Sequence, residues 1–587
     1  MTAATHTLAI KDQFYLDSRP FQIISGSIHY FRVVPAYWRD RLRKLRALGC
    51  NTVETYVPWN LHEPRPGEFC FTGMLDLAAF LRTAQEEGLY AIVRPSPYIC
   101  GEWEFGGLPG WLLAEDGMKL RCSYPPFLER VRSYYQKLFS ILTPLQADRG
   151  GPVILMQVEN EYGAYGDETG YLAALRDCMR ENGATVPFIT SDGPWGDYLN
   201  GGSIDGALPT ANFGSNAPKQ FPVLQQHIGS GPLMCTEFWV GWFDAWGDAA
   251  HHTTDAATCA QELDEILKRG SVNIYMFHGG TNFGFTNGSN YYDHLQPDVT
   301  SYDYDALLTE DGRLTPKYHA FQKVIAKYAP LPEVTLDPPA PRKAYGSFPV
   351  QDAVSLFSVL EELADCTESP WPLCMEKLGQ NFGYTCYVSA LKPNVPIEKL
   401  QLIGANDRAQ VFFDRELYLT LYDHDLLREH PAAPLSGSRS ELEILTENMG
   451  RVNYGPRMEQ QRKGIDGSVL LNGHSHAGWK MYPLPMDADM ARKIDFSKPY
   501  RTGTPSFYRI PFTVEQPGDT FLDLTGWGKG CALLNGFQLG RFWEIGPQKH
   551  LYIPAPLLRQ GENELLLFES EGKAAAQITL TAEPNLG

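Results

Sequence analysis

Over the first 330 positions, continuous apolar runs alternate with stretches that carry their apolar residues on one face only. Eight short runs, rich in β-branched and aromatic residues, lie at 21–30, 51–59, 90–99, 153–163, 188–192, 207–213, 233–242 and 272–284. Such runs suit parallel strands buried on both faces. Between them the period changes to that of a helix. Residues 35–50 put Trp38, Leu42, Leu45 and Leu48 on one stripe, opening with Pro35 and closing at Gly49. Residues 74–89 set Leu77, Phe80, Leu81 and Ala84 at i, i+3, i+4 and i+7, closed by Gly88. Comparable stretches cover 126–145, 170–184, 214–228, 254–270 and 315–329, so only the fifth strand lacks a convincing helix behind it. Eight such alternations predict a (β/α)₈ TIM barrel. An open doubly wound sheet is disfavoured, because no Gly-rich phosphate loop follows the first strand.

The texture changes after Ala329. Pro330, Pro332, Pro338, Pro339 and Pro341 make a stiff linker, and short alternating runs broken by Gly, Pro, Asn and Asp follow. Here the chain repeats itself. DRAQVFFDRELYLTLYD (407–423) aligns with GKGCALLNGFQLGRFWE (528–544), and ELEILTENMG (441–450) with NELLLFESEG (563–572). A domain-sized offset predicts two related antiparallel β-sandwiches of jelly-roll type. The expected division is a barrel over 1–330, a linker or bridging segment over 331–374, and β-sandwiches over 375–485 and 486–587. The part at 343–374 resists reading and is open to joining either sandwich.

Charge narrows the function. Fifty Lys and Arg against 69 Asp and Glu give a net charge of −19, which argues against nucleic-acid or anionic-membrane partners. Thirty Phe, thirty Tyr and twelve Trp are more aromatics than core filling asks for, and aromatic faces also stack on sugars. The eleven cysteines are scattered without CxxC or zinc-finger spacing and read as reduced core residues. The N-terminus has neither a basic nor an apolar leader region, and no run of 18 apolar residues occurs. The expected location is therefore cytoplasmic.

In such a barrel the active site lies at the C-terminal ends of the strands. The fourth run ends Gln157-Val158-Glu159-Asn160-Glu161-Tyr162-Gly163, the seventh Thr236-Glu237-Phe238-Trp239, and the third is followed by Cys100-Gly101-Glu102-Trp103-Glu104. Carboxylates delivered to one rim by apolar strands suit glycoside cleavage. That reaction needs one protonated carboxyl for the departing oxygen and one ionised carboxyl for the anomeric carbon. Glu161 and Glu237 are candidates, three strands apart around the rim. Pattern alone does not separate Glu159 from Glu161. Strand alternation puts 159 and 161 on one face and turns Asn160 away, unless the strand ends or bulges there.

Several motifs then resemble glycoside hydrolase family 35, the β-galactosidases, within the clan of retaining barrel glycosidases. They are SGSIHYFR (25–32), TYVPWNLHEP (55–64), RPSPYICGEWEFGGLPGWL (94–112), QVENEYG (157–163), TEFWVGWFDAWG (236–247), GGTNFG (279–284) and TSYDYDA (300–306). DRAQVFFD, ENMGRVNYG and TFLDLTGWGKG extend the likeness into the sandwiches. The resemblance implies a retaining exo-β-galactosidase with Glu237 as nucleophile and Glu161 as acid/base. It implies Asn160 on the sugar 2-hydroxyl, and Tyr56, Glu102 and Tyr304 on other galactose hydroxyls. Gly101, where relatives often have Ala, contributes backbone only. Trp239 replaces a Tyr of some relatives, exchanging a phenol for a larger stacking face, and with Trp242 it makes a platform for the leaving sugar. Tyr454 reaches over from the first sandwich. The chain is most similar to short bacterial members without a leader, which favour galactose β-1,3-linked to N-acetylhexosamines. No cofactor or metal is implied. The sandwiches wall the pocket and need not bind sugar, and the oligomeric state stays open, a homodimer included.

Other features have plainer readings. His251-His252 has no helical partner at i+4 for a metal site. His29 and His278 read as hydrogen-bonded rim residues, Trp527 and Trp543 as sandwich core, and 279–288 as a rim loop. The rival functions are a β-glycosidase of other sugar specificity, a non-catalytic sugar-binding barrel, and a metal-dependent barrel hydrolase.

Overall fold

The computed structural model describes residues 4–95, 97–392, 395–431, 440–455 and 457–587. Ser96, within the third apolar run and the motif at 94–112, lies outside the described residues. All eight expected strands form: β1 (Ile24–Ile28), β2 (Thr52–Tyr56), β3 (Tyr90–Arg94), β4 (Val153–Gln157), β5 (Phe188–Asp192), β6 (Ala207–Asn212), β7 (Met234–Trp239) and β8 (Ser271–His278). They pair in parallel, each with its neighbours in sequence, and β8 closes on β1. The helices that alternate with them are α1 (Trp38–Leu48), α2 (Leu77–Glu86), α3 (Pro125–Leu142), α4 (Thr169–Glu181), α5 (Tyr198–Gly202), α6 (Ala217–Ile228), α7 (Ala256–Leu267) and α8 (Pro316–Ile325), with one further turn at Trp59–His62. The stripe on α1 is buried as its spacing requires. That helix stops at Gly49, whose φ of +107° returns its N–H to the last turn. A β-carbon there would meet Ile325 and Leu331 at 2.8 Å, so conformation and packing both select glycine. The weak fifth helix is α5, five residues long. Beside it an open cleft of about 1110 Å³ runs past α4 and α6, lined by Arg176, Arg180 and His227 and, among the described residues, by the single carboxylate of Asp205.

Residues 330–341 carry neither helix nor strand. Beyond them, among the described residues, each sandwich is two antiparallel sheets, six strands against four in the first and five against four in the second. The sequence repeat is a structural one. Hairpin Arg408–Phe413/Glu416–Tyr422 and third strand Glu441–Glu447 correspond to Lys529–Leu534/Phe537–Trp543 and Gly561–Glu569. Both hairpins turn on two left-handed residues, Asp414-Arg415 and Asn535-Gly536, as tight two-residue turns demand. Both bulge at the matching place, between Val411 and Phe412 and between Ala532 and Leu533. The unread stretch 343–374 serves both sandwiches. Gly346–Pro349 and Asp352–Ser355 add strands to the second, and Thr367–Ser369 adds one to the first.

The sandwiches are locked to the rim of the barrel. Ser289–Tyr291, from the loop after β8, pairs in parallel with Val452–Tyr454 of the first sandwich. Arg451, fully buried, bridges Glu104 of the barrel and Glu376 of the sandwich. Removing either partner of such a buried pair is costly, so the rim has one position against the sandwich. From the second sandwich, Arg541 O and Gln548 Oε1 accept hydrogen bonds from Thr300 and Ser301, on the loop that carries Tyr302 and Tyr304. Among the described residues no helix is long and apolar enough to cross a membrane.

Candidate active site

A cavity of about 160 Å³ opens at the C-terminal ends of the barrel strands. Nine of the ten residues singled out in the sequence line it: Gly101, Glu102, Asn160, Glu161, Glu237, Trp239, Trp242, Tyr304 and Tyr454. The tenth, Tyr56, is buried below it, and its hydroxyl is spent on protein groups. It lies 2.5 Å from Glu237 Oε1 and 3.0 Å from Asn160 Oδ1, and the shorter contact takes its single proton.

Strand β4 ends at Gln157, before the acidic motif. Glu159 and Glu161 then take left-handed φ values of +56° and +48°. The expected alternation therefore fails, and the two glutamates part. Glu159 is wholly buried and paired with Arg121 through two bonds of 2.9 Å. Asn160 and Glu161 turn into the cavity. Glu161 Oε1 accepts from Asn212 Nδ2 at 3.0 Å, and Ser191 Oγ fixes that amide by donating to Asn212 Oδ1 at 2.5 Å. Burial and the negative charge of Glu237 push the Glu161 carboxyl up to about 7.

Glu237 is differently placed. Its Oε1 accepts from Tyr56 and from Arg94 Nη2 at 2.7 Å, and its Oε2 accepts the Trp239 indole N–H at 3.1 Å. Two carboxyls in one cavity thus have opposite surroundings, one raised by burial and a like charge, the other held against a buried guanidinium. Arg94 also donates to Asn160 Oδ1 at 2.5 Å, so one side chain orients both Asn160 and Glu237.

The left-handed run Cys100-Gly101-Glu102 lines one side. A β-carbon on Gly101 would meet nothing closer than 3.7 Å, so φ of +59° favours glycine there, and crowding does not. Glu102 accepts from the Tyr302 hydroxyl, and burial pushes its carboxyl up to about 7. Tyr275, Tyr302 and Tyr304 meet at ring-centre distances of 5.4–5.6 Å from Tyr304. Trp239 and Trp242 cross at 82°. They make a corner and not the single platform expected. Trp242 stacks on Phe243 at 28° and leaves 41% of its surface exposed, as does Trp195 on the far side of Trp239.

Sequence reasoning missed Arg94, Asn212, Trp195, Tyr275 and Tyr302. Arg94 had a signal, a lone cation closing an apolar strand. His251 bridges Asp244 and Asp303 at 2.6 and 3.4 Å, and its hydrogen bonds to both acids, with their charge, outweigh burial and push its imidazole up to about 10. Among the described residues, Asp244, Asp248 and His252 bring ligand atoms within 4.8 Å of one another. Both oxygens of Asp244 are already engaged by His251 and His252, so the cluster reads as a clamp between loops.

Three family models match the chain: glycosyl hydrolases family 35 over residues 13–328, the first all-beta domain of beta-galactosidase over 372–485, and its galactose-binding domain over 505–563. Curated relatives extend over nearly the whole chain. Beta-galactosidase-1-like protein 2 of Homo sapiens is 41% identical, with 98% of this chain and 91% of the relative covered. Beta-galactosidase 17 of Arabidopsis thaliana is 40% identical over 95% and 86%. A beta-galactosidase of Xanthomonas manihotis is 39% identical over 92% and 90%.

Proposed function

The chain belongs to glycosyl hydrolase family 35, and on that premise we propose that it is a retaining exo-β-galactosidase acting by double displacement. The observation that carries the reading is the pair Glu161 and Glu237, brought to one cavity in opposed environments. Glu237 attacks the anomeric carbon while Glu161 gives its proton to the departing oxygen. Tyr56 and Arg94 tie down Oε1, so Oε2 is the less restrained oxygen and the attacking one. Once Glu237 is an ester its charge is gone, and the raised pKa of Glu161 falls. The group that donated a proton is then set to take one from water.

Asn160, its carbonyl oxygen taken by Arg94 and Gln157 and one amide hydrogen directed at Ile99 O at 3.4 Å, has the other amide hydrogen for the 2-hydroxyl. Glu102 and Tyr304 serve other hydroxyls, and selection of the axial 4-hydroxyl depends on such a matched set. A cavity of 160 Å³ suits one terminal sugar ring, hence exo action. The test is a panel of terminal glycosides: galactosides should be cleaved and the matching glucosides should not. Comparable rates on both would favour the β-glycosidase of other specificity.

Activity on a disaccharide should fall as pH rises through about 7, where Glu161 loses the proton it must donate. A dinitrophenyl galactoside, whose leaving group needs no proton, should keep its kcat/KM to higher pH. Matching alkaline limbs would take the acid role from Glu161.

For linkage, the reading is a preference for β-1,3-galactosyl-N-acetylhexosaminides over lactose. The exposed face of Trp242 can stack on one orientation of the leaving sugar, and changing the linkage turns that ring. Stacking is worth about 1–3 kcal/mol on the scale of bases on aromatic side chains, or roughly tenfold to a hundredfold in kcat/KM. Trp242→Ala should slow the disaccharide by that factor and spare an aryl galactoside. Equal slowing of both would make Trp242 a packing residue.

A further inference from the structure

Arg94 has a second partner that lies away from the sugar cavity. Its Nη2 serves Glu237 and Asn160, while its Nη1 lies 3.6 Å from Glu54 Oε1, beyond hydrogen-bonding range. Both side chains are completely buried, and among the described residues neither Nη1 nor Oε1 has a hydrogen-bond partner. The other oxygen of Glu54 accepts from Ser27 of β1 and, at 3.4 Å, from Asn273 of β8. The charged groups acting on Glu54 are Arg94 of β3 and Glu237 of β7. Glu54 does not line the cavity. A buried carboxylate placed beneath a catalytic pair needs a task or a partner, and here it has a loose partner with room to tighten.

We propose that Glu54 is the standing counter-ion of Arg94, the group that keeps the guanidinium paired while Glu237 is a neutral galactosyl ester. The inference rests on Glu237 being the nucleophile. In the first step a Glu237 oxygen bonds to the anomeric carbon, the bond from that carbon to the leaving oxygen breaks, and the Glu161 proton passes to that oxygen. The Glu237 carboxylate loses its charge, and without Glu54 the fully buried Arg94 would be an unpaired cation. Before the step Glu54 has a second effect. By sharing the guanidinium it limits how tightly Arg94 holds the attacking carboxylate. Glu54 therefore works through Arg94 as a positioning residue and never touches substrate. Burial, with the like charge of Glu237 adding to it, raises the Glu54 carboxyl to about 6. Esterification removes that like charge, so Glu54 is more fully ionised in the intermediate, where it is needed.

The test is trapping with 2-deoxy-2-fluoro-β-galactosyl fluoride, followed through inactivation and reactivation. Glu54→Gln should slow inactivation by about tenfold or more and leave reactivation unslowed, because only the intermediate loses its counter-ion. The acid limb of kcat/KM should move to lower pH, since the guanidinium charge is then no longer shared with Glu54. Glu54→Asp should restore the wild-type partition. Should Glu54→Gln not fold, Ser27→Ala carries the same test. It removes a bond that favours ionised Glu54, so it should shift both readouts the same way by less. Peptide mapping of the wild-type label separates the two layers. A label on Glu237, with inactivation and reactivation slowed together or the acid limb unmoved, overturns the counter-ion role alone. A label on another residue overturns the nucleophile reading and the counter-ion role with it.

Discussion

Glu237→Gln is expected to fold and to lose on the order of 10⁴-fold or more in kcat on every galactoside. The amide keeps an oxygen to accept from Tyr56, so the cavity should keep its shape. What it loses is the negative charge that makes the carboxylate oxygen a nucleophile. Glu102, the third carboxyl lining the cavity, accepts from Tyr302 and is raised to about 7, so at neutral pH much of it is protonated. The loss should appear equally on a disaccharide and on a dinitrophenyl galactoside, because both must form the same ester. Removing the Glu237 charge should also lower the pKa of Glu161, since burial and the weaker effect of Glu102 would then be what raises it. Titration of a labelled Glu161 by NMR would register that fall. Turnover within tenfold of wild type, or a Glu161 pKa that rises, would remove Glu237 from the role.

The second large effect is expected at Glu161, and its pattern differs. Glu161→Ala removes general acid from the first step and general base from the second, each typically worth about 10²–10⁴-fold. A disaccharide, with a poor leaving group, should lose at least that much in kcat/KM. A dinitrophenyl galactoside should form the galactosyl-enzyme nearly as fast as before and then stall. Azide needs no base to activate it, so it should restore turnover and give β-galactosyl azide. Failure of azide to accelerate the aryl substrate, together with equal losses on both substrates, would mean that Glu161 shapes the cavity and transfers no proton.

The barrel was legible because its strands and helices declare themselves by period alone. Trp38, Leu42, Leu45 and Leu48 fall on one face only if 38–48 is helical, and runs such as Val153–Gln157 are buried along their whole length. The rim was legible as a set of residues but not as a geometry. Nothing in QVENEYG says that the strand stops at Gln157, and it is that stop, with two left-handed glutamates after it, that sends Glu159 to Arg121 and Glu161 to the cavity. Trp239 is a similar case. As a residue type it promised a stacking face, whereas its position two residues beyond Glu237 turns the indole N–H onto the carboxylate. Asn212 and Tyr302 carried no local signal, since each acquires its role from a partner 51 or 200 positions away. The sandwich repeat was visible because a tight turn and its flanking strands recur together. The strands of 343–374 were not, because they complete sheets built mainly from later sequence.

Double displacement through Glu237 is the claim on which the rest depends, and proton NMR of the first product formed from a β-galactoside tests it most directly. Two inversions at the anomeric carbon should release β-galactose first, with the α anomer growing in only at the rate of spontaneous mutarotation. Initial release of α-galactose would mean a single displacement by water, with Glu237 acting as a base and no galactosyl-enzyme for Glu54 and Arg94 to hold.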